Sequence, residues 1–173
     1  MDDFDWTGWT DWTPLATLDL TAVPTNPGAY VIATNKPICR AIGTDPLGFL
    51  DVGESDGLRQ RLKDFHRCLT KRGNEGHMAG WRFAFFRFDR QFPLESLRVR
   101  WATAQTKEAA YALEGRILLA YIKVHCELPP LNYKFNWNEF EAMKEFFSAL
   151  GADSKDAPHV GTSKGRPSDQ RLG

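Results

Sequence analysis

The chain has 173 residues, 42% of them hydrophobic, and its 22 Lys and Arg balance 22 Asp and Glu. That length supplies one well-packed core and leaves no room for two ordinary domains. No apolar run nears the roughly 18 residues a membrane helix needs, the acidic start MDDFD is the opposite of a signal peptide's basic region, and three cysteines without a CxxC spacing indicate neither a disulfide framework nor a zinc ribbon, so a soluble, cytoplasmic protein with no membrane partner is expected.

Trp6, Trp9 and Trp12 open the chain at three-residue spacing among Thr and Asp, ahead of Pro14. Residues 1–22 read as an irregular acidic arm, not as a strand. Disordered tails are depleted in aromatics, so the arm is expected to dock on the body; a base-stacking platform is the functional alternative. After the turn Pro24-Thr25-Asn26-Pro27-Gly28, residues 29–33 (AYVIA) read as a strand, residues 37–46 as a loop, and residues 48–52 (GFLDV) as a second strand. A helix follows, with Ser55 or Asp56 as N-cap and Leu58, Leu62, Phe65 and Leu69 at intervals of three or four.

Residues 81–88 (WRFAFFRF) read as a strand with Trp81, Phe83 and Phe85 on one face, and residues 97–101 (LRVRW) as its partner. Thr106 caps a long helix from Lys107 to about Val124, which ends before Pro129-Pro130. An amphipathic helix is expected over about 138–150, ending at Gly151, and residues 151–173 read as a flexible tail. The pattern describes one α+β domain over residues 23–150, a small antiparallel sheet flanked by helices.

Charge is distributed unevenly. Residues 1–58 hold 9 acidic and 2 basic side chains, net −7; residues 59–100 hold 11 basic and 4 acidic, net +7; the rest balances at 9 against 9. An Arg-rich segment suits phosphate contacts, because guanidinium forks match phosphate and release condensed counterions; the plainer reading is a solvated face. Arg59, Lys63, Arg67, Lys71 and Arg72 are the candidate DNA-backbone contacts. His77, flanked by glycines in a loop, is a further candidate for phosphate or metal, or else a surface histidine.

Projected at about 100° per residue, the long helix places Ala110, Ile117, Leu118 and Tyr121 near Glu114, with Arg116, Leu119 and Lys123 on the far side. Glu114 therefore points inward, and burying a lone carboxylate costs several kcal/mol unless a cation or metal pairs with it. From this residue alone an internal bridge, for instance to Arg61, is the better reading. Tyr111 and Tyr121 share its side of the helix and read as packing residues with hydroxyls at the rim, and Lys107 reads as exposed.

Other residues change that balance. Pro27-Gly28-Ala29-Tyr30 on the first strand and Asp51-Val52-Gly53 on the second stand where the GIY-YIG nucleases have the two motifs that name them, Arg61-Leu62 matches that family's motif arginine, and Glu114 and Asn132 fit its remaining positions. Over residues 27 to about 132 the chain resembles this family. The resemblance implies a GIY-YIG-like fold and one-step hydrolysis of a DNA phosphodiester. Tyr30 would sit beside the attacking water, Arg61 on the phosphate, Glu114 on a Mg2+ or Mn2+ ion, and Asn132 would fix the local backbone.

Two positions depart from the family pattern. Asp51 stands where the second motif has tyrosine, as a general base, a second metal ligand, or the mark of a domain that binds without cleaving. Phe65 holds the position four after Arg61 where the family often has histidine or tyrosine, and His66, one residue on, is the candidate to replace it. A homodimer is left open, since double-strand cleavage with one site per chain calls for a dimer or sequential nicks.

Overall fold

The computed structural model describes residues 4–71 and 76–134. The expected helix over 138–150 and tail over 151–173 lie outside them, as does Arg72. The architecture is α+β. Its elements are β1 (Thr13–Pro14), β2 (Gly28–Thr34), β3 (Ile38–Cys39), β4 (Thr44–Asp45), β5 (Phe49–Ser55), α1 (Leu58–Lys71), α2 (Met78–Phe85), β6 (Leu97–Thr103) and α3 (Lys107–His125), with short 3-10 turns at 15–17, 88–90 and 94–96.

Four strands form an antiparallel sheet in the order β1-β6-β2-β5, and β3 and β4 pair as a small separate hairpin. The central strand β2 is buried throughout because the sheet is covered on both faces. Alternation along β2 sorts its side chains: Tyr30 and Ile32 join Leu58, Leu62, Phe65 and Phe83 of α1 and α2, whereas Val31 and Ala33 join Ile117, Leu118 and Tyr121 of α3. A register shift between Ile32 and Ala33 interrupts the β2–β5 pairing, with Ile32 opposite Asp51 but Ala33 opposite Phe49. Leu50 is thus the extra residue of a bulge, and it enters the α1 face while Phe49 and Val52 enter the α3 face.

Residues 81–88 are not a strand. Trp81 to Phe85 belong to α2, capped at its start by His77, whose side chain accepts from the Gly80 amide. Helical spacing stacks Trp81 on Phe85 at 4.9 Å and sets Arg82 5.7 Å from the Phe86 ring. Gly80 permits α2 to lie on α1, since a Cβ there would sit 2.8 Å from Cys68. The strand at 97–103 pairs instead with β2 and with the arm.

The arm docks as expected, although Thr13–Pro14 makes a short strand on β6. Trp6 and Trp12 pack edge-on against Phe49 at 6.1 and 6.2 Å. Arg100 lies 4.3 Å from the Trp6 ring and Arg98 4.5 Å from Trp12. Those guanidinium contacts use the ring faces that a nucleobase would need, and they take two arginines of the basic segment out of the candidate DNA surface. On α3, Leu119 is buried, not on an exposed far side, and Tyr121 is fully buried with its hydroxyl donating to Asp45, away from any rim. Among the described residues no helix is long and apolar enough to cross a membrane.

Candidate active site

β5 is the free edge of the sheet, and the chain after α3 returns to cover it. The Asn132 amide accepts from the Val52 N–H at 3.0 Å and donates to the Val52 carbonyl at 2.7 Å, while the Leu131 N–H donates to the Leu50 carbonyl. A side chain thereby completes the ladder that an edge strand leaves unpaired. Beside this edge a cleft of about 220 Å³ opens between α1, α2 and α3, and Tyr30, Asp51, Glu54, Arg61, His77, Glu114 and Asn132 all line it.

Tyr30 reaches the cleft across Gly53. A Cβ on Gly53 would fall 2.2 Å from the tyrosine hydroxyl, so the phenol lies directly on the β5 backbone. Gly28 has a comparable role, because a Cβ there would meet the Ala102 carbonyl and the Leu58 side chain of α1. The Tyr30 hydroxyl donates to Asp51 Oδ2 at 3.2 Å and lies 2.9 Å from His77 Nε2. His77 Nδ1 accepts from the Gly80 N–H, so the neutral ring carries its proton on Nε2 and donates it to the tyrosine oxygen, an assignment that follows from the hydrogen-bond network.

Electrostatics agree with that polarity. Burial, with Arg61 adding to it, lowers the His77 pKa to about 3 and keeps the ring neutral. Burial raises Asp51 to about 7, against the opposing effects of the Tyr30 hydrogen bond and of Arg61 and Arg82. Tyr30 is raised well above its ordinary value by burial and then by Asp51. Burial, followed by the charges of Asp51 and Glu54, raises Glu114 to about 8, with Arg61 and Lys134 opposing.

Glu114 and Arg61 are two charged groups that face this cleft. Among the described residues neither makes an ion pair or a side-chain hydrogen bond, so the internal bridge that Glu114 alone would favour is not formed. Glu54, which the motif reading passed over, holds a buried Oε2 with no hydrogen-bond partner. Its adjacency to Gly53 was the available signal.

Several candidates lie elsewhere. His66 is half-buried on α1 and is not among the residues lining the cleft, because the next position along a helix turns away by about 100°. Phe65 is buried, and its ring meets His77 edge-on at 5.0 Å. His77 is not a loop histidine on the surface; it is 5% exposed, caps α2 and lines the cleft. Arg59 is tied to the Val23 and Thr21 carbonyls and so serves the fold. Arg67 pairs with Asp64 at 3.1 Å, Lys63 is exposed on α1, and Lys71 closes that helix. No protein-family model matches the chain, and no curated protein does.

Proposed function

We propose that the chain is a metal-dependent DNA endonuclease of GIY-YIG type. One observation carries this reading: an uncommitted carboxylate, Glu114, and an uncommitted guanidinium, Arg61, share one open cleft with the buried Tyr30–Asp51 pair. A structural ion pair would have closed Glu114 against Arg61. Their separate availability is what a phosphodiester site requires, a cation holder and a phosphate clamp side by side.

The residues fit a divalent ion. Three carboxyls, Asp51, Glu54 and Glu114, are all raised above their ordinary values in one cleft, and a cation there would offset the repulsion among their charged forms. Among the described residues no three His, Cys, Asp or Glu are grouped to share one ion, so Glu114 would hold it, with water and phosphate completing the coordination as Mg2+ accepts. When bound, the ion supplies charge stabilisation at the phosphate and at the leaving oxygen.

The chain's own groups do the rest. Arg61 binds the phosphate and neutralises its charge. An attacking water forms its bond to phosphorus while giving a proton to the Tyr30 oxygen, and Tyr30 passes its own proton to Asp51. The bond to the leaving oxygen breaks, that oxygen takes a proton from solvent, and Asp51 then returns its proton to Tyr30 as Tyr30 releases one to solvent through the cleft, which restores both groups. Asp51 thus takes the place of the second-motif tyrosine as the end of a proton relay, suited by a pKa of about 7 to neutral conditions.

Incubation of the protein with supercoiled, linear and single-stranded DNA and Mg2+ or Mn2+ tests this. Cleavage is expected, and both Glu114→Gln and Tyr30→Phe should lower it by roughly 10²- to 10⁴-fold. Cleavage that survives both substitutions sinks the assignment. An inactive protein that still binds DNA with a steep salt dependence supports a second reading, a binding module without cleavage, which the buried and already bonded Asp51 favours.

A further inference from the structure

His77 comes from outside every motif that marks the site, yet its Nε2 lies nearer the Tyr30 hydroxyl, at 2.9 Å, than Asp51 Oδ2 does, at 3.2 Å. Its two nitrogens have separate tasks. Nδ1 caps α2 through the Gly80 N–H at 3.3 Å, and that bond leaves only Nε2 to carry the proton that meets Tyr30 at 2.9 Å. The ring is held in place by more than these bonds. Phe65 packs edge-on against it at 5.0 Å, Tyr30 meets it at 5.9 Å, and the preceding Gly76, at φ +90°, makes a bend that side chains rarely adopt.

A phenol hydroxyl beside a carboxylate and a cleft can turn its proton either way. With an N–H donated to its oxygen from the His77 side, the O–H turns to the acceptor within reach, Asp51, and the second lone pair is left facing the cleft for the proton of water. Resting on the nuclease reading above, we propose that His77 is a positioning residue for Tyr30: it donates Nε2–H to the tyrosine oxygen, directs the tyrosine proton onto Asp51, and so orients the relay that receives the proton of the attacking water. The helix cap and the relay are thereby one device, since the Gly80 amide selects the tautomer that Tyr30 needs. The proton balance is that of the hydrolysis already written, and His77 itself neither gains nor loses a proton.

Capping and positioning are separable by substitution. His77→Asn keeps a good N-cap side chain for Gly80 but is too short to donate to Tyr30. It should fold, melt within a few degrees of the parent, and lose roughly 10- to 100-fold in kcat with KM little changed, the cost typical of a supporting partner. His77→Gln, whose terminal amide can reach the tyrosine oxygen, should recover part of that loss despite a weaker cap. In a Tyr30→Phe background, His77→Asn should add nothing further. A parent-like kcat in His77→Asn, while Tyr30→Phe and Glu114→Gln are impaired, overturns the inference and leaves the nuclease reading intact.

A second measurement does not need activity. In the ¹⁵N-histidine spectrum of the full chain at pH 7, His77 should be the neutral tautomer with its proton on Nε2, and that proton's resonance should move in Tyr30→Phe. A proton on Nδ1, or a resonance indifferent to Tyr30→Phe, overturns the inference even if the parent protein proves inactive.

Discussion

At the scale of single residues, the site depends on one atom's absence. Gly53 lets the Tyr30 phenol rest on the β5 backbone, and the 2.2 Å approach of a Cβ would drive the hydroxyl away from both Asp51 and His77. Gly53→Ala should therefore abolish the proposed cleavage and cost about 1–3 kcal/mol of stability, the usual price of overpacking, read by urea unfolding. The proposed proton relay has its own signature. Asp51 must be ionised to accept from Tyr30, and its pKa is raised to about 7. The kcat measured at saturating metal should therefore climb as pH rises through 7 and level off above it, and Asp51→Asn should flatten the profile. A profile unchanged in Asp51→Asn would remove Asp51 from the relay.

At the scale of elements, the decisive features are an edge and a cap. Asn132 acts as a one-residue strand on β5, so Asn132→Leu leaves the Val52 N–H and carbonyl without partners. About 1–3 kcal/mol should be lost for each group left unsatisfied, with faster amide exchange at Val52 as the local readout. Tyr30, Arg61, Glu114 and Asn132 were legible because each sits in a short motif on a strand, a helix or a post-helix turn whose own patterning is plain. The element at 78–85 was not. Its aromatic run carries Phe85 and Phe86, which are 63% and 55% exposed, so hydrophobicity there reports neither strand alternation nor a single helical face. Reading it as a strand left His77 in a loop, when its place is the N-cap of a helix.

At the scale of the whole molecule, the acidic cleft sets how stability responds to pH. Asp51 and Glu114 are raised from ordinary values of 3.8 and 4.5 to about 7 and about 8. Between those limits the folded protein holds protons that the unfolded chain has released, so their stabilising contribution is present below the unfolded values and is lost as pH rises through 7 to 8. His77, lowered from 6.5 to about 3, works in the opposite sense, its contribution fading as pH falls below 6.5. Without divalent ions, Tm should therefore fall as pH is raised from 6 to 8.5, less steeply in Glu114→Gln. Added Mg2+ should raise Tm more at pH 8.5 than at pH 6, because binding requires the ionised carboxylate. A metal effect of equal size at both values would count against Glu114 as the holder.

The sequence by itself determined the α+β class, the two main strands, the α1 and α3 helices and the inward aspect of Glu114, since all of these follow from local periodicity, caps and turn residues that neighbours in the chain can express. It also marked the arm as docked, because three tryptophans have too much apolar surface to remain in water. Only the tertiary structure decided which histidine meets Tyr30. His66 is next to the expected slot in sequence but faces away, while His77 arrives from another helix. It likewise decided that Arg59, Arg98 and Arg100 serve the fold, and that Glu114 and Arg61 stay apart. Those outcomes depend on where separate elements cross, which no local pattern in the chain encodes.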